Sequence, residues 1–111
     1  MELKTEQVNG VSVVTVPCDT LDASNAGEFK TAAEPLIEDR AKIVFDLSRL
    51  QFVDSSGCGA LLSCLRKVTG SGGDMKLCGV QKPVRVLFEL VRMHRIMDVY
   101  NTRDEALAAY A

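Results

Sequence analysis

The sequence holds little with which to run chemistry of its own. It contains one histidine, His94, so a Ser-His-Asp site would have to recruit that residue. Neither Ser55 nor Ser56 lies in the G-x-S-x-G turn that presents a nucleophilic serine. His94 stands between Met93 and Arg95 near a helix end, a place for contact with terminal carbonyls or solvent. There is no P-loop and no G-x-G-x-x-G run, so nucleotide chemistry is not expected. The four cysteines, Cys18, Cys58, Cys64 and Cys78, include no C-x-x-C pair and sit in apolar surroundings, the pattern of small buried thiols in a reducing compartment and not of a metal site. Cys58 alone is placed near a helix N-terminus, where a thiol can acquire a lowered pKa and react with oxidants. No catalytic residue, metal ligand set or cofactor is expected.

An excess of one charge and a long apolar run are missing too. Thirteen Lys and Arg stand against fifteen Asp and Glu, giving a net charge of −2. That balance offers no bulk attraction to nucleic acid or to an anionic membrane. No apolar run approaches the roughly 18 to 20 residues that span a bilayer, and Met1-Glu2-Leu3-Lys4 lacks the apolar core of a signal peptide. The chain is expected in the cytoplasm. With 111 residues, 47% of them apolar, and no internal repeat or low-complexity linker, it reads as one compact domain over 1–111.

What is present is a regular alternation of elements. Leu3 to Val8 and Val11 to Val16 are strand-like and flank Asn9-Gly10, a strong hairpin signal. The turn-rich run from Cys18 to Asn25 leads into a helix with apolar positions Ala26, Phe29, Ala33, Leu36 and Ile37, with Asp22 or Ser24 placed to cap it. Lys42 to Leu47 is a short, nearly continuous apolar run, as in a central strand covered on both faces. A helix from about Ser56 to Thr69 ends at Gly70-Ser71-Gly72-Gly73, and Lys76-Leu77-Cys78 reads as the next strand. Pro83 suits the first turn of a further helix with Val84, Leu87, Phe88 and Val91 on one face. Val86, Leu90 and Met93 lie partly off that face, so the helix has a second, more exposed apolar side or is buried broadly. Ile96 to Tyr100 reads as a last strand, and Thr102 with Glu105 forms a capping box for a C-terminal helix. The sum is an α/β sandwich: a mixed sheet of four to five strands with its helices mainly on one side.

The segment Phe52-Val53-Asp54-Ser55-Ser56-Gly57-Cys58-Gly59 lies where strand gives way to helix. Ser56 is an N-cap candidate, which leaves Ser55 just outside the helix, beside free N–H groups and the positive end of the dipole. A phosphoryl group is the anion such a hydroxyl would acquire, although Asp, Ser and Gly are equally the residues of a plain capped turn. Gly57 and Gly59 weaken a helix start and call for a reason, such as the close approach of a backbone or an anion.

These residues resemble the phosphorylation-site turn of the STAS domain in bacterial anti-sigma factor antagonists. The resemblance extends over nearly the whole chain, through Leu21-Asp22-Ala23-Ser24-Asn25-Ala26, Ile43-Val44-Phe45-Asp46-Leu47, Gly72-Gly73 and Arg85-Val86-Leu87-Phe88. It implies a STAS-like fold in which Ser55, directly after the Asp, accepts the phosphate, with Ser56 the alternative. It also implies partner contacts through Asp22, Asp54, Ser55, Ser56, Gly57 and Gly59. The family commonly has Gly three residues before the position of Asp22, where this chain has Asp19, an added negative charge near the expected interface. The implied function is a non-enzymatic switch. Unphosphorylated, it binds an anti-sigma factor that is also an ATP-dependent serine kinase and so frees a sigma factor; a metal-dependent serine phosphatase restores the serine. The alternative is a docking subunit of a transporter or signalling assembly without a phospho-switch.

Overall fold

The computed structural model describes residues 1–111. Strands β1 (Lys4–Val8) and β2 (Val11–Thr15) form the expected hairpin, in register from Lys4 opposite Thr15 to Val8 opposite Val11. Its two turn residues both take positive φ, 51° at Asn9 and 81° at Gly10, which is the conformation that matches the twist of the strands and that Asn-Gly adopts readily. A two-residue strand β3 (Thr20–Leu21) follows, then α1 (Ala26–Ala33), which passes into a 3₁₀ turn at Glu34–Leu36. Strand β4 (Lys42–Asp46), a second two-residue strand β5 (Phe52–Val53) and helix α2 (Ser55–Gly70) come next. Strand β6 (Asp74–Cys78), α3 (Lys82–Leu90), a 3₁₀ turn at Met93–Arg95, β7 (Asp98–Tyr100) and α4 (Arg103–Ala108) complete the chain.

The main sheet has the order β1-β2-β4-β6-β7, antiparallel only at the hairpin and parallel elsewhere. β4 is thus its central strand and explains its own sequence. Ile43 and Phe45 point to one face and join the larger core with Phe29, Leu61 and Val68, while Val44 points to the other face and packs with Ala106. The Phe29 and Phe45 rings lie 5.5 Å apart in a tilted arrangement favourable to aromatic pairs. Burying side chains of this size stabilises by about 2 to 3 kcal/mol each. Helices α1, α2 and α3 cover the first face, and only α4 covers the second. Arg103 holds that last helix down, pairing with Glu6 at 2.9 Å and with Asp46 at 3.1 Å. The capping box is present at Thr102, whose Oγ1 accepts from the Glu105 N–H at 3.1 Å.

Three local expectations need correction. Neither Asp22 nor Ser24 caps α1: the Asp22 carboxylate is taken by the Ser24 N–H and hydroxyl, and the Asp22 N–H donates to Asn25 Oδ1, closing a small loop ahead of the helix. The last strand begins at Asp98, because Ile96 lies in the turn before it and is exposed. On α3, Val84 and Phe88 are buried, but Val91 is not; Val86 and Leu90 form the expected exposed apolar side, and Met93 is buried beyond the helix end.

Candidate functional site

The strand-to-helix turn is held by an element that the sequence did not reveal. β3 and β5 pair in parallel, Thr20 with Phe52 and Leu21 with Val53, as a separate two-stranded sheet. Two-residue strands carry no periodicity, and these lie some thirty positions apart, so only the folded chain brings them together. The pairing continues past the strands. The Asp54 N–H donates to the Leu21 carbonyl at 3.3 Å, and the Ala23 N–H donates to Asp54 Oδ2 at 3.2 Å. The loop carrying Asp22 is thereby fastened to the start of α2.

Asp54 is the N-cap, and Ser56 is not. Its backbone is extended and its Oδ1 accepts from the Gly57 N–H at 3.0 Å, the bond by which an N-cap side chain satisfies one of the free donors of the first turn. Ser55 and Ser56 are therefore the first two helical residues, and the expectation that Ser55 lies outside the helix is corrected with it. Asp54, Ser55 and Ser56 have similar capping preference; the additional bond to Ala23, a tertiary contact, favours Asp54.

Both serine side chains are exposed, and neither hydroxyl has a protein partner. Their backbone N–H groups likewise donate to no protein acceptor, since the cap satisfies only the next two amides, Gly57 through the side chain and Cys58 through the Asp54 carbonyl at 3.0 Å. Free N–H groups at the positive end of a sixteen-residue helix favour an anion placed there. The two serines differ in what lies one turn further along. Gly59 follows Ser55 and is exposed, with nothing within 4 Å of where a side chain would begin, whereas Ala60 follows Ser56 and is buried. Ser55 stands on an open strip of helix.

The two glycines have different reasons. A Cβ at Gly57 would collide with the Leu21 carbonyl oxygen and lie 2.9 Å from Val53 Cγ1, so this glycine admits the β3 backbone against the helix. At Gly59 no such neighbour exists within the chain. Asp22 is ionised at neutral pH, because hydrogen bonds from the Ser24 side chain and amide hold its carboxyl below the usual range. Cys58 does not fit the picture of an activated thiol. It is buried, and burial, reinforced by the negative charge of Asp54, pushes its pKa up. His94 is exposed on the 3₁₀ turn after α3 and hydrogen-bonds neither serine.

Residues 2–106 match the STAS domain family. The chain belongs to that family. A curated relative, the anti-sigma F factor antagonist of Paenibacillus polymyxa, is 30% identical over 109 residues, covering 96% of this chain and 92% of the relative. Among solved structures, an anti-sigma factor antagonist from Mycobacterium paratuberculosis superposes with a TM-score of 0.84 at 27% identity, covering 96% of this STAS chain and 91% of the other. The Bacillus cell fate determinant SpoIIAA in its phosphorylated form shares the STAS fold, with a TM-score of 0.69 at 23% identity over 98% and 99% of the two chains. The five-stranded mixed sheet with its flanking helices is thus the STAS fold that the resemblance implied.

Proposed function

We propose that this STAS domain is an anti-sigma factor antagonist worked by phosphorylation of Ser55. The observation that carries the reading is the free, exposed Ser55 hydroxyl on the first residue of α2, beside two amides without acceptors and ahead of an unoccupied turn of helix at Gly59. The names of the relatives agree with this role, and SpoIIAA supplies a precedent for a phosphorylated form of the fold. The domain itself supplies no catalytic group. The kinase is the anti-sigma factor, acting with ATP, and a metal-dependent phosphatase reverses the step, all in the cytoplasm.

The mechanism follows from charge. Phosphorylation adds roughly −1.5 to −2 at neutral pH to a surface that already carries Asp54 and the ionised Asp22. Within the domain the helix dipole and the N–H groups of Ser55 and Ser56 offset the repulsion, so the fold persists. A partner surface shaped to a neutral hydroxyl beside those carboxylates has no matching cation, and burying the added charge unpaired costs several kcal/mol. Each 2.7 kcal/mol is about a hundredfold in affinity. Release of the anti-sigma factor follows. Partner contacts are assigned to Asp22, Asp54, Ser55, Ser56, Gly57 and Gly59, of which Gly57 acts through the packing of β3 and the others at the surface.

The test is calorimetric titration of the anti-sigma factor into the unmodified domain and into Ser55→Ala and Ser55→Asp. Ser55→Ala should bind as the unmodified protein does, and Ser55→Asp at least about tenfold more weakly. Equal affinities for all three would refute the switch, and capture of a transporter subunit in place of an anti-sigma factor would assign the domain to the docking role.

A further inference from the structure

Helix α3 carries apolar residues on two opposite sides. Val84 and Phe88 face the core, while Val86 and Leu90, on the opposite side and one turn apart, are 48% and 75% exposed. Ile96, beyond the helix end, is exposed as well, at 58%. β5, which leads into Ser55 and carries the exposed Phe52, packs against α3.

Its charges are mostly of one sign. Residues 82–96 hold Lys82, Arg85, Arg92 and Arg95 against the single carboxylate Glu89, in a chain whose net charge is −2. Arg85 is engaged with Asn101 at 3.0 Å, but Lys82, Arg92 and Arg95 are exposed and form no ion pair. Arg92 also sits where arginine is a poor choice. It ends α3 in the left-handed region, φ 60° and ψ 31°, a position at which glycine is strongly preferred.

We infer that the outer face of α3, from Lys82 to Ile96, is a docking surface for an acidic amphipathic helix of a partner protein, whose apolar stripe covers Val86, Leu90 and Ile96 while its carboxylates pair with Lys82, Arg92 and Arg95. Charge complementarity selects this occupant. A second copy laid face to face would set these cations against their own kind. An anionic bilayer, reaching past this face, would meet repulsion from Asp19, just before β3 with its carbonyl accepting from the Phe52 N–H at 3.2 Å, and from Asp54, just after β5. An acidic helix of limited width avoids that cost, laying its apolar stripe along the i, i+4 ridge of Val86 and Leu90. The surface is defined without reference to Ser55 and stands whether or not that serine is the switch.

The experiment is an amide-resolved NMR titration of the full chain with two synthetic helices that share a leucine stripe, one flanked by glutamates and one by lysines, and with phosphatidylglycerol vesicles. The glutamate helix should shift the amides of residues 82–96 and bind at least tenfold more tightly than the lysine helix. Leu90→Ser and the double variant Arg92→Glu with Arg95→Glu should each weaken it at least tenfold with unchanged circular dichroism. Arg92→Gly should weaken it while raising the melting temperature, separating the docking role of the side chain from any role in folding. Equal binding of the two helices, shifts elsewhere on the surface, preference for the vesicles, or self-association of the free chain through this face in sedimentation would each overturn the inference.

Discussion

Replacing Gly57 with alanine should show how the site depends on a contact rather than on helix propensity. In an ordinary helix the change would stabilise by about 1 kcal/mol. Here the new Cβ would meet the Leu21 carbonyl oxygen and lie 2.9 Å from both the Leu21 carbonyl carbon and Val53 Cγ1. The first two are backbone atoms, so a rotamer change cannot relieve them and β3 must move. Overpacking costs about 1 to 3 kcal/mol, and displacement of β3 also weakens the Asp54-to-Leu21 and Ala23-to-Asp54 hydrogen bonds, at about 1 kcal/mol each. The expected net loss is about 2 to 4 kcal/mol, a fall in Tm of roughly 10 °C or more for a domain near this size. Gly59→Ala is the control. Nothing lies within 4 Å of its Cβ position, so the helix should gain about 1 kcal/mol. Urea unfolding followed by far-ultraviolet circular dichroism measures both. A Gly57→Ala domain as stable as the parent would refute the clamp of β3 on α2, and with it the fixed position of Asp22.

Asp54→Ala should cost about 1 to 2 kcal/mol through loss of the cap, while Ser56→Ala stays within about 0.5 kcal/mol, both read from the same unfolding curves. Stability should fall in acid: burial works to raise the Asp46 carboxyl, but hydrogen bonds from Ser48 and Arg103 outweigh it and hold the pKa below its ordinary value. A depressed carboxyl contributes stability above its unfolded pKa of about 3.9 and loses it as pH falls through the folded value, so Asp46→Asn should flatten that limb of a stability-against-pH profile. In alkylation at neutral pH, half-buried Cys18 should react first and Cys64 and Cys78, whose pKa values burial pushes up to about 11, only on unfolding. Cys58 reacting as fast as Cys18 would contradict its burial, since burial raises the pKa of both thiols and only Cys18 is partly exposed.

The sheet could be read from the sequence because its signals are local. Asn9-Gly10 names its own turn, the run from Ile43 to Phe45 announces burial on both faces, and Thr102 with Glu105 marks the start of α4 within four residues. The turn from Asp54 to Gly59 was legible in composition and not in arrangement. Ser55 and Ser56 stood out as exposed hydroxyls at a helix start, but which residue caps that helix depends on Ala23, thirty-one positions away. The same holds for Gly57, whose reason is the Leu21 carbonyl, and for Cys58, whose place at a helix N-terminus suggested activation until burial reversed it. Contacts between short, aperiodic segments leave no pattern in either one.

Phosphosite mapping tests the central claim most directly. The domain is incubated with its anti-sigma factor and ATP, and the modified peptide spanning α2 is fragmented in a mass spectrometer. The phosphate should be on Ser55, with the phosphorylated domain losing the anti-sigma factor on a sizing column while keeping its circular dichroism spectrum. A phosphate on Ser56, or a phosphorylated domain that stays bound, would contradict the account.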